Sequence, residues 1–275
     1  ESMSREDRHI SIGLTNRGPT DPVAGVVGAS ELKLFLRGES LVLSDFMPIL
    51  ESAGLRVLAM KPYEVGTNGH PTATIYVFAV QDRSGEPIDV AHRGDLLSDV
   101  LLAMRAGDAV SDSLNALVVS AGLHWREVDV LRGFAGYAFQ VGKVPSRSAL
   151  PKALVENPGI ASELFDLFST KFDSESTATR ERRLETAADI RAAFHGSLRA
   201  VALLSDDRAL RALEELISAA VRTNYYRRGG RIPSHRSGGV PYTSFKFQVG
   251  SLETSRPTEL LFEVWVHSAR MEGVH

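Results

Sequence analysis

Residues 43–65 read LSDFMPILESAGLRVLAMKPYEV, a pattern that predicts an amphipathic helix followed directly by a strand. The helix is expected at residues 44–53, where three apolar side chains fall on one side: Phe46, Ile49 and Leu50. Ser44 or Asp45 is expected to cap the first turn, and Gly54 to end the helix. The residues that follow alternate between apolar and polar, as in a strand that packs against a helix.

The segments on either side extend this pattern into a layered domain. Strands are predicted at residues 9–16 (HISIGLTN), 31–38 (ELKLFLRG) and 74–80 (TIYVFAV), and a second helix at residues 94–106. From residue 31 the order is β-α-β-β-α, which resembles the ferredoxin-like sandwich of small regulatory domains of the ACT type. The predicted fold class is α+β: an ACT-like sandwich, then a mainly helical module and two C-terminal strands.

Helical periodicity dominates residues 108–226. Helices are expected before Gly122 and before Gly142, after Asn157-Pro158, and at about residues 184–204 and 208–225. The cap-rich sequence Ser205-Asp206-Asp207 is expected to separate the last two helices. Two strands follow, one around Phe245 and one from Leu260. Two strands cannot form a domain alone, so they either return to the N-terminal sheet or open a domain whose remainder is missing.

Composition excludes several classes of function. The 275 residues are 43% hydrophobic and 24% charged, with a formal net charge of −3 and a pI near 6.3, so bulk charge gives no reason to expect nucleic-acid or membrane binding. The chain has no cysteine, which excludes disulfides and thiolate chemistry. No apolar run is long enough for a membrane span or a signal peptide, so the expected location is cytoplasmic. The start, ESMSREDRH, suggests a piece of a longer protein.

No motif with a recognisable catalytic or binding mechanism occurs, and we predict no catalytic, cofactor-binding or metal site. The eight histidines never lie three to five residues apart, as a compact pair of metal ligands would. They are His9, His70, His92, His124, His195, His235, His267 and His275. The acidic pairs Glu214-Glu215 and Asp206-Asp207 are adjacent in sequence and diverge on a helix, which favours caps and solvated faces over acid–base chemistry.

A few residues have both a structural and a functional interpretation. The Arg- and Gly-rich segment at residues 227–240 could bind a polyanion, with Tyr225-Tyr226 stacking on a base, although a solvated linker is favoured. Its basic members are Arg227, Arg228, Arg231, His235 and Arg236. Trp125 and Trp265 lie in apolar patterns and are expected in the core. The turn Arg37-Gly38-Glu39-Ser40 could hold the carboxylate of an effector at a helix start, although a plain turn is favoured.

The opening stretch also resembles the large class of bacterial NAD-specific glutamate dehydrogenases, in the part that precedes the catalytic domain. The similarity continues in family order through residues 107–142, NPGIASELFDLFSTKFD, AVRTNYY, PYTSFKF and LLFEVWVHSARMEGVH. The resemblance implies five segments. These are an N-terminal strand and loop (1–30), an ACT-like domain (31–106), a helical module (107–226), a linker (227–241) and the first strands of the catalytic region (242–275). The loop VPSRSALPKALVENP and the insertion RRGGRIPSHRSGG depart from the family pattern.

By this resemblance the parent enzyme would use NAD to oxidise L-glutamate to 2-oxoglutarate and ammonia, on motifs that lie downstream of residue 275. The segment itself is then expected to be noncatalytic and regulatory, to bind no cofactor, and to contact the rest of the enzyme and other subunits of a homo-oligomer. An amino acid is a possible effector. Two alternatives stay open: a free-standing ACT-type amino-acid sensor, and a nucleic-acid binder that uses the Arg-rich segment.

Overall fold

The computed structural model describes residues 10–18, 20–67, 70–227, 242–252 and 261–275. The chain divides into two compact units, Glu1–Trp125 and Arg126–His275. The predicted α+β class is confirmed, since each unit combines helices with an antiparallel sheet. The predicted linker at residues 227–241 lies almost wholly outside the described residues, as do His9 and Leu260.

Four antiparallel strands form the sheet of the first unit. They are β1 (Ile10–Asn16), β2 (Ser30–Arg37), β3 (Arg56–Thr67) and β4 (His70–Gln81), in the order β1-β2-β4-β3. β1 pairs with β2 along its whole length, from Ile10 opposite Leu36 to Asn16 opposite Ser30. The N-terminal strand thus occupies the sheet edge next to β2.

Two helices, α1 (Leu43–Ser52) and α2 (Val90–Ala106), belong to the same unit, so the predicted β-α-β-β-α order is present from β2 to α2. Successive side chains of a strand point to opposite faces, so Leu32, Leu34 and Leu36 of β2 share one face of the sheet. All three are buried in the core. Phe46 of α1 lies 5.9 Å from Phe78 of β4, measured between ring centroids. These apolar side chains are where the sandwich gains its stability.

The ends of these helices partly follow the predicted signals. The prediction that Ser44 or Asp45 caps α1 is wrong: Val42 is the N-cap and makes no side-chain cap bond, while the Ser44 hydroxyl donates to Asp45. Gly54 does end α1, with φ of 80°, and a Cβ there would lie 2.8 Å from that of Ala116. The unit closes with a turn at Ser113–Asn115 and the short helix α3 (Ala116–Ser120).

The second unit contains five helices among its described residues. They are α4 (Trp125–Gln140), α5 (Ala149–Glu156), α6 (Pro158–Phe172), α7 (Arg180–Ser197) and α8 (Leu204–Ala219). Gly142 follows α4 with φ of 76°, as predicted. Asn157 is the N-cap residue of α6 and Pro158 its first residue, but the Asn157 amide donates to the carbonyl of Ala153 and does not cap the helix.

Two helix boundaries correct the sequence prediction. α7 begins at Arg180, because the Thr179 hydroxyl accepts a hydrogen bond from the backbone N–H of Arg182 at 3.3 Å. α8 begins at Leu204, so Ser205-Asp206-Asp207 lies in its first turn and does not separate the two helices. Acidic side chains in a first turn interact favourably with the helix dipole.

The second sheet consists of β5 (Ala220–Thr223), β6 (Thr243–Gln248), β7 (Phe262–His267) and β8 (Glu272–Val274), paired in that order and all antiparallel. The prediction that the last helix continues through Tyr225 is wrong, because residues 220–223 pair with β6 instead. The strands around Phe245 and Phe262 do not return to the N-terminal sheet, which removes one of the two alternatives considered for them.

Candidate functional site

The first unit carries a cavity of about 520 Å³ on the sheet face formed by alternate residues of β2, β3 and β4. Glu31 and Lys33 of β2 and Lys61 and Tyr63 of β3 contribute to its lining, together with Arg17 from the segment that follows β1. Pro22, Ala24 and Gly25 complete one wall. The cavity therefore contains three cationic side chains and one carboxylate.

Glu31 organises the charges of this cavity. Its side chain is 2% exposed and receives ion pairs from Arg17 and from Lys33, the latter at 2.7 Å, and a 3.1 Å hydrogen bond from the Thr15 hydroxyl. Burial by itself would raise the pKa of Glu31. The hydrogen bonds from Lys33, Arg17 and Thr15 to the ionised carboxylate outweigh burial and hold the pKa below its usual value.

Lys61 brings a further positive charge to the cavity. Its ammonium lies 5.4 Å from the centroid of the Tyr63 ring, a cation–π distance. Because Glu31 is shared between two other cations, the four charged groups sum to about +2. A small ligand with a carboxylate is the kind of molecule that such a cavity can hold.

The turn considered as an effector site, Arg37-Gly38-Glu39-Ser40, is tied into the fold. Gly38 has φ of 73°, and the guanidinium of Arg105 donates to the Glu39 carboxylate at 2.9 Å. The backbone N–H of Leu41 donates to the hydroxyl of Tyr76 at 3.2 Å. These contacts give the turn a structural role in joining β2 to α1 and α2.

In the second unit, His267 of β7 lies between two carboxylates. Its Nε2 is 3.2 Å from Asp129 of α4, and its Nδ1 is 3.6 Å from Glu272 of β8. Arg132 pairs with the same Asp129 oxygen at 2.7 Å, and Arg147 pairs with Glu272. Each acid of the cluster therefore faces a basic group.

The part of this cluster formed by His267, Asp129 and Arg132 is largely buried. His267 is 3% exposed. Burial would raise the pKa of Asp129, but the hydrogen bond with His267 and the positive charge of Arg132 together hold that pKa below its usual value. A buried histidine whose two nitrogens both face carboxylates is well suited to joining a helix to a sheet.

Glycines allow the helix to approach this sheet. A Cβ at Gly133 of α4 would lie 2.8 Å from the ring of Phe245, and one at Gly136 would lie 2.7 Å from the Glu272 carboxylate and 2.9 Å from the ring of Trp265. Only glycine fits at such distances without displacing a neighbour. Nothing in the sequence pattern around Gly133 and Gly136 predicts this close approach.

Three further histidines in the described part of the chain lie beside three different side chains. His92 pairs with Asp89 at 2.8 Å, His124 lies 3.8 Å from Asp99, and His195 lies 3.4 Å from Arg211. Within the described part of the chain, no group of three or more His, Asp or Glu side chains could hold a metal ion.

The acidic pairs diverge as predicted, and three of their four carboxylates form ion pairs. Glu214 pairs with Arg191 at 2.9 Å, while Glu215 accepts from Lys143 at 2.6 Å. Asp207 pairs with Arg211 on the next turn of α8 at 2.9 Å. Asp206 is buried, and it accepts a hydrogen bond from the hydroxyl of Ser205.

The tryptophans and tyrosines considered in the sequence pack against other side chains of the protein. Trp125 and Trp265 are 3% and 1% exposed, which confirms that they are core residues. The ring of Tyr225 lies 5.7 Å from that of Phe168 and 4.9 Å from that of Tyr226. Burial raises the pKa of Tyr225. Of the basic segment considered for polyanions, Arg228, Arg231, His235 and Arg236 lie outside the described residues.

Three family models match successive parts of the chain. Residues 21–93 match the glutamate dehydrogenase ACT3 domain, residues 109–174 match glutamate dehydrogenase helical motif 3, and residues 193–275 match the bacterial NAD-glutamate dehydrogenase catalytic domain. Fold and matches together define an ACT-like domain that is followed by parts of a large dehydrogenase.

Curated relatives agree with these matches. The chain is 35% identical over 244 residues to the NAD-specific glutamate dehydrogenase of Pseudomonas aeruginosa, covering 88% of the chain. It is 33% identical to that of Halomonas elongata and 32% identical to that of Mycobacterium tuberculosis, over 89% and 90% of the chain. The chain belongs to the bacterial NAD-specific glutamate dehydrogenase family, and it spans about 15% of the length of these relatives.

Among the described residues, no helix is both long and apolar enough to span a membrane.

Proposed function

We propose that the chain is a noncatalytic segment that regulates and helps to assemble an NAD-dependent glutamate dehydrogenase. The whole enzyme would convert L-glutamate and NAD into 2-oxoglutarate, ammonia and NADH in the cytoplasm. The partners of the segment would be the rest of its own polypeptide and other subunits of a homo-oligomer. The enzyme would bind NAD on parts of the polypeptide outside these 275 residues.

The observation that carries this proposal is the match of residues 21–93 to an ACT3 domain, on a sandwich with a charged cavity of its own. The names of the relatives support the activity of the whole enzyme. In the second unit, the carboxylates of Asp129, Glu214 and Glu272 are each paired with a basic side chain, and this favours a structural role for them.

The first test is enzymatic. The purified chain, mixed with L-glutamate and NAD, is expected to produce no NADH that depends on glutamate. Production at a rate that scales with the concentration of the chain would contradict the proposal, because catalysis would then reside in these residues.

A free-standing amino-acid sensor is the second candidate, and the cavity around Glu31 favours it. Titration calorimetry with a panel of amino acids would test for saturable binding. Lys61→Gln is expected to weaken any such binding, whereas Arg56→Gln, which removes one positive charge from the same strand but outside the cavity, is expected not to. Absence of binding across the panel would leave assembly as the role of the unit.

A further inference from the structure

The second unit has a groove of about 420 Å³ between the C-terminal part of α6 and the exposed side of α7. Its apolar surface includes the buried Leu167 and Ala187 and also Leu184, which is 63% exposed. A cavity of this size can hold a small organic ligand. Most of α7 and the segment before it, residues 175–192, lie between two matched family segments, so the family matches assign these residues no role.

Four cations surround this apolar surface: Lys171, Arg180, Arg183 and Arg191. Among the described residues that line the groove there is no Asp or Glu. Within the described part of the chain, only Arg191 has a carboxylate partner, Glu214 at 2.9 Å. The groove therefore combines apolar surface with an excess of positive charge.

Two of these cations donate to backbone carbonyls at helix ends. Lys171 donates to the carbonyls of Ile217 and Ser218 at 3.2 and 2.5 Å, and Arg183 donates to those of Thr170 and Asp173 at 2.8 and 3.0 Å. Carbonyl dipoles hold the cations in place but do not cancel their charge.

Arg180 at the start of α7 differs from the other three cations. Its side chain is exposed and makes no hydrogen bond or ion pair with any residue that the structure describes. Its guanidinium can turn toward a ligand without losing a contact inside the protein.

The pKa of Lys171 is consistent with an excess of positive charge in the groove. Lys171 is exposed overall, yet partial burial of its ammonium and repulsion by Arg191 lower its pKa to about 8, and attraction by the Glu214 carboxylate offsets only part of this shift. An anion bound in the groove would favour the protonated ammonium and raise this pKa again.

We propose that the groove binds a small organic anion in which a carboxylate is joined to an apolar chain, as in a medium-chain fatty acid. The apolar chain covers Leu184 and the surface beneath it, and the carboxylate meets the guanidinium of Arg180 and the ammonium of Lys171. This proposal does not depend on the function proposed above.

The test is calorimetric titration of the 275-residue chain with octanoate, with octanol and inorganic phosphate as probes of the apolar chain alone and of the charge alone. Saturable binding is expected for octanoate only. Arg180→Glu is expected to weaken it about tenfold or more, because it replaces an ionic hydrogen bond by repulsion. Arg182→Glu is the matched control, since it makes the same charge change on the same helix at a residue that does not line the groove.

A second readout follows Lys171 by NMR as pH is changed. Its pKa is expected to rise from about 8 toward the usual lysine value when octanoate is present. The proposal is overturned if octanoate fails to bind, if phosphate binds equally well, if Arg182→Glu weakens binding as much as Arg180→Glu, or if the pKa of Lys171 does not move.

Discussion

The close approach of α4 to the second sheet predicts that one added methyl group at Gly136 destabilises the protein. In a helix, replacing glycine by alanine normally stabilises by about 0.5–1 kcal/mol. At Gly136 the new Cβ would lie 2.7 Å from the Glu272 carboxylate and 2.9 Å from the ring of Trp265, a core side chain that is 1% exposed. Overpacking of this kind costs about 1–3 kcal/mol. We expect Gly136→Ala to lower the free energy of unfolding by about 1–2 kcal/mol.

Gly196 of α7 supplies the matched control, because a Cβ there meets no atom within 4 Å. Gly196→Ala is expected to leave stability unchanged or to raise it by up to about 1 kcal/mol. Urea unfolding of both variants, followed by tryptophan fluorescence and far-ultraviolet circular dichroism, gives the two free energies. If Gly136→Ala is as stable as Gly196→Ala, the close packing of α4 on β7 and β8 does not hold in solution.

Three further predictions concern other parts of the structure. Glu31→Gln leaves its two cationic partners without a carboxylate and is expected to cost about 1–3 kcal/mol in urea unfolding, the loss shrinking in high salt. Asp129 has a lowered pKa, so its contribution to stability is present above about pH 4 and is lost as pH falls through its folded-state pKa. The stability difference between wild type and Asp129→Asn should therefore shrink below pH 4 in thermal melts. Phe134→Ala, at a fully buried ring, should cost about 3–5 kcal/mol by the same unfolding assay.

The strands and helices of the first unit could be predicted from sequence because the residue patterns that indicate them are local. Alternating residues in β2 and the glycine after α1 each fix one element within a few positions, and the elements then pack in a known order. The N-cap of α1 could not be predicted. Ser44 and Asp45 both have side chains that can cap a helix, but the helix already begins at Leu43, so both residues lie inside its first turn.

β5 was predicted as helix because no glycine or proline separates it from α8. Its strand conformation depends on pairing with β6, whose partner residues lie more than 20 positions further along the chain: Thr223 pairs with Phe245, and Ala220 with Phe247. Tertiary pairing of this kind overrides local propensity. α5 was missed for a different reason: it is only eight residues long and contains Pro151, so Leu150 and Leu154 give too short an apolar stripe to indicate a helix.

The charged cavity of the first unit was only partly visible in the sequence. Lys33 lies within the predicted strand at residues 31–38, but its approach to Lys61 of β3 requires β4 to lie between the two strands. Glu31 is also hard to recognise as buried, because a carboxylate at a strand start is usually solvated. Its burial becomes clear only when Arg17 is placed beside it.

The charged cluster around His267 and the two glycines of α4 together determine how closely this helix packs on the sheet. Gly133 and Gly136 let the helix approach the sheet, and at that distance Asp129 reaches His267, which is 138 positions further along the chain. The hydrogen bond between His267 Nε2 and Asp129 contributes to stability only while it is kept, since losing it leaves an unpaired charged or polar group inside the protein. If an added methyl group pushed the helix away from the sheet, the contact between Asp129 and His267 would lengthen. The cluster therefore makes this packing distance specific, whereas apolar side chains alone would tolerate a range of separations.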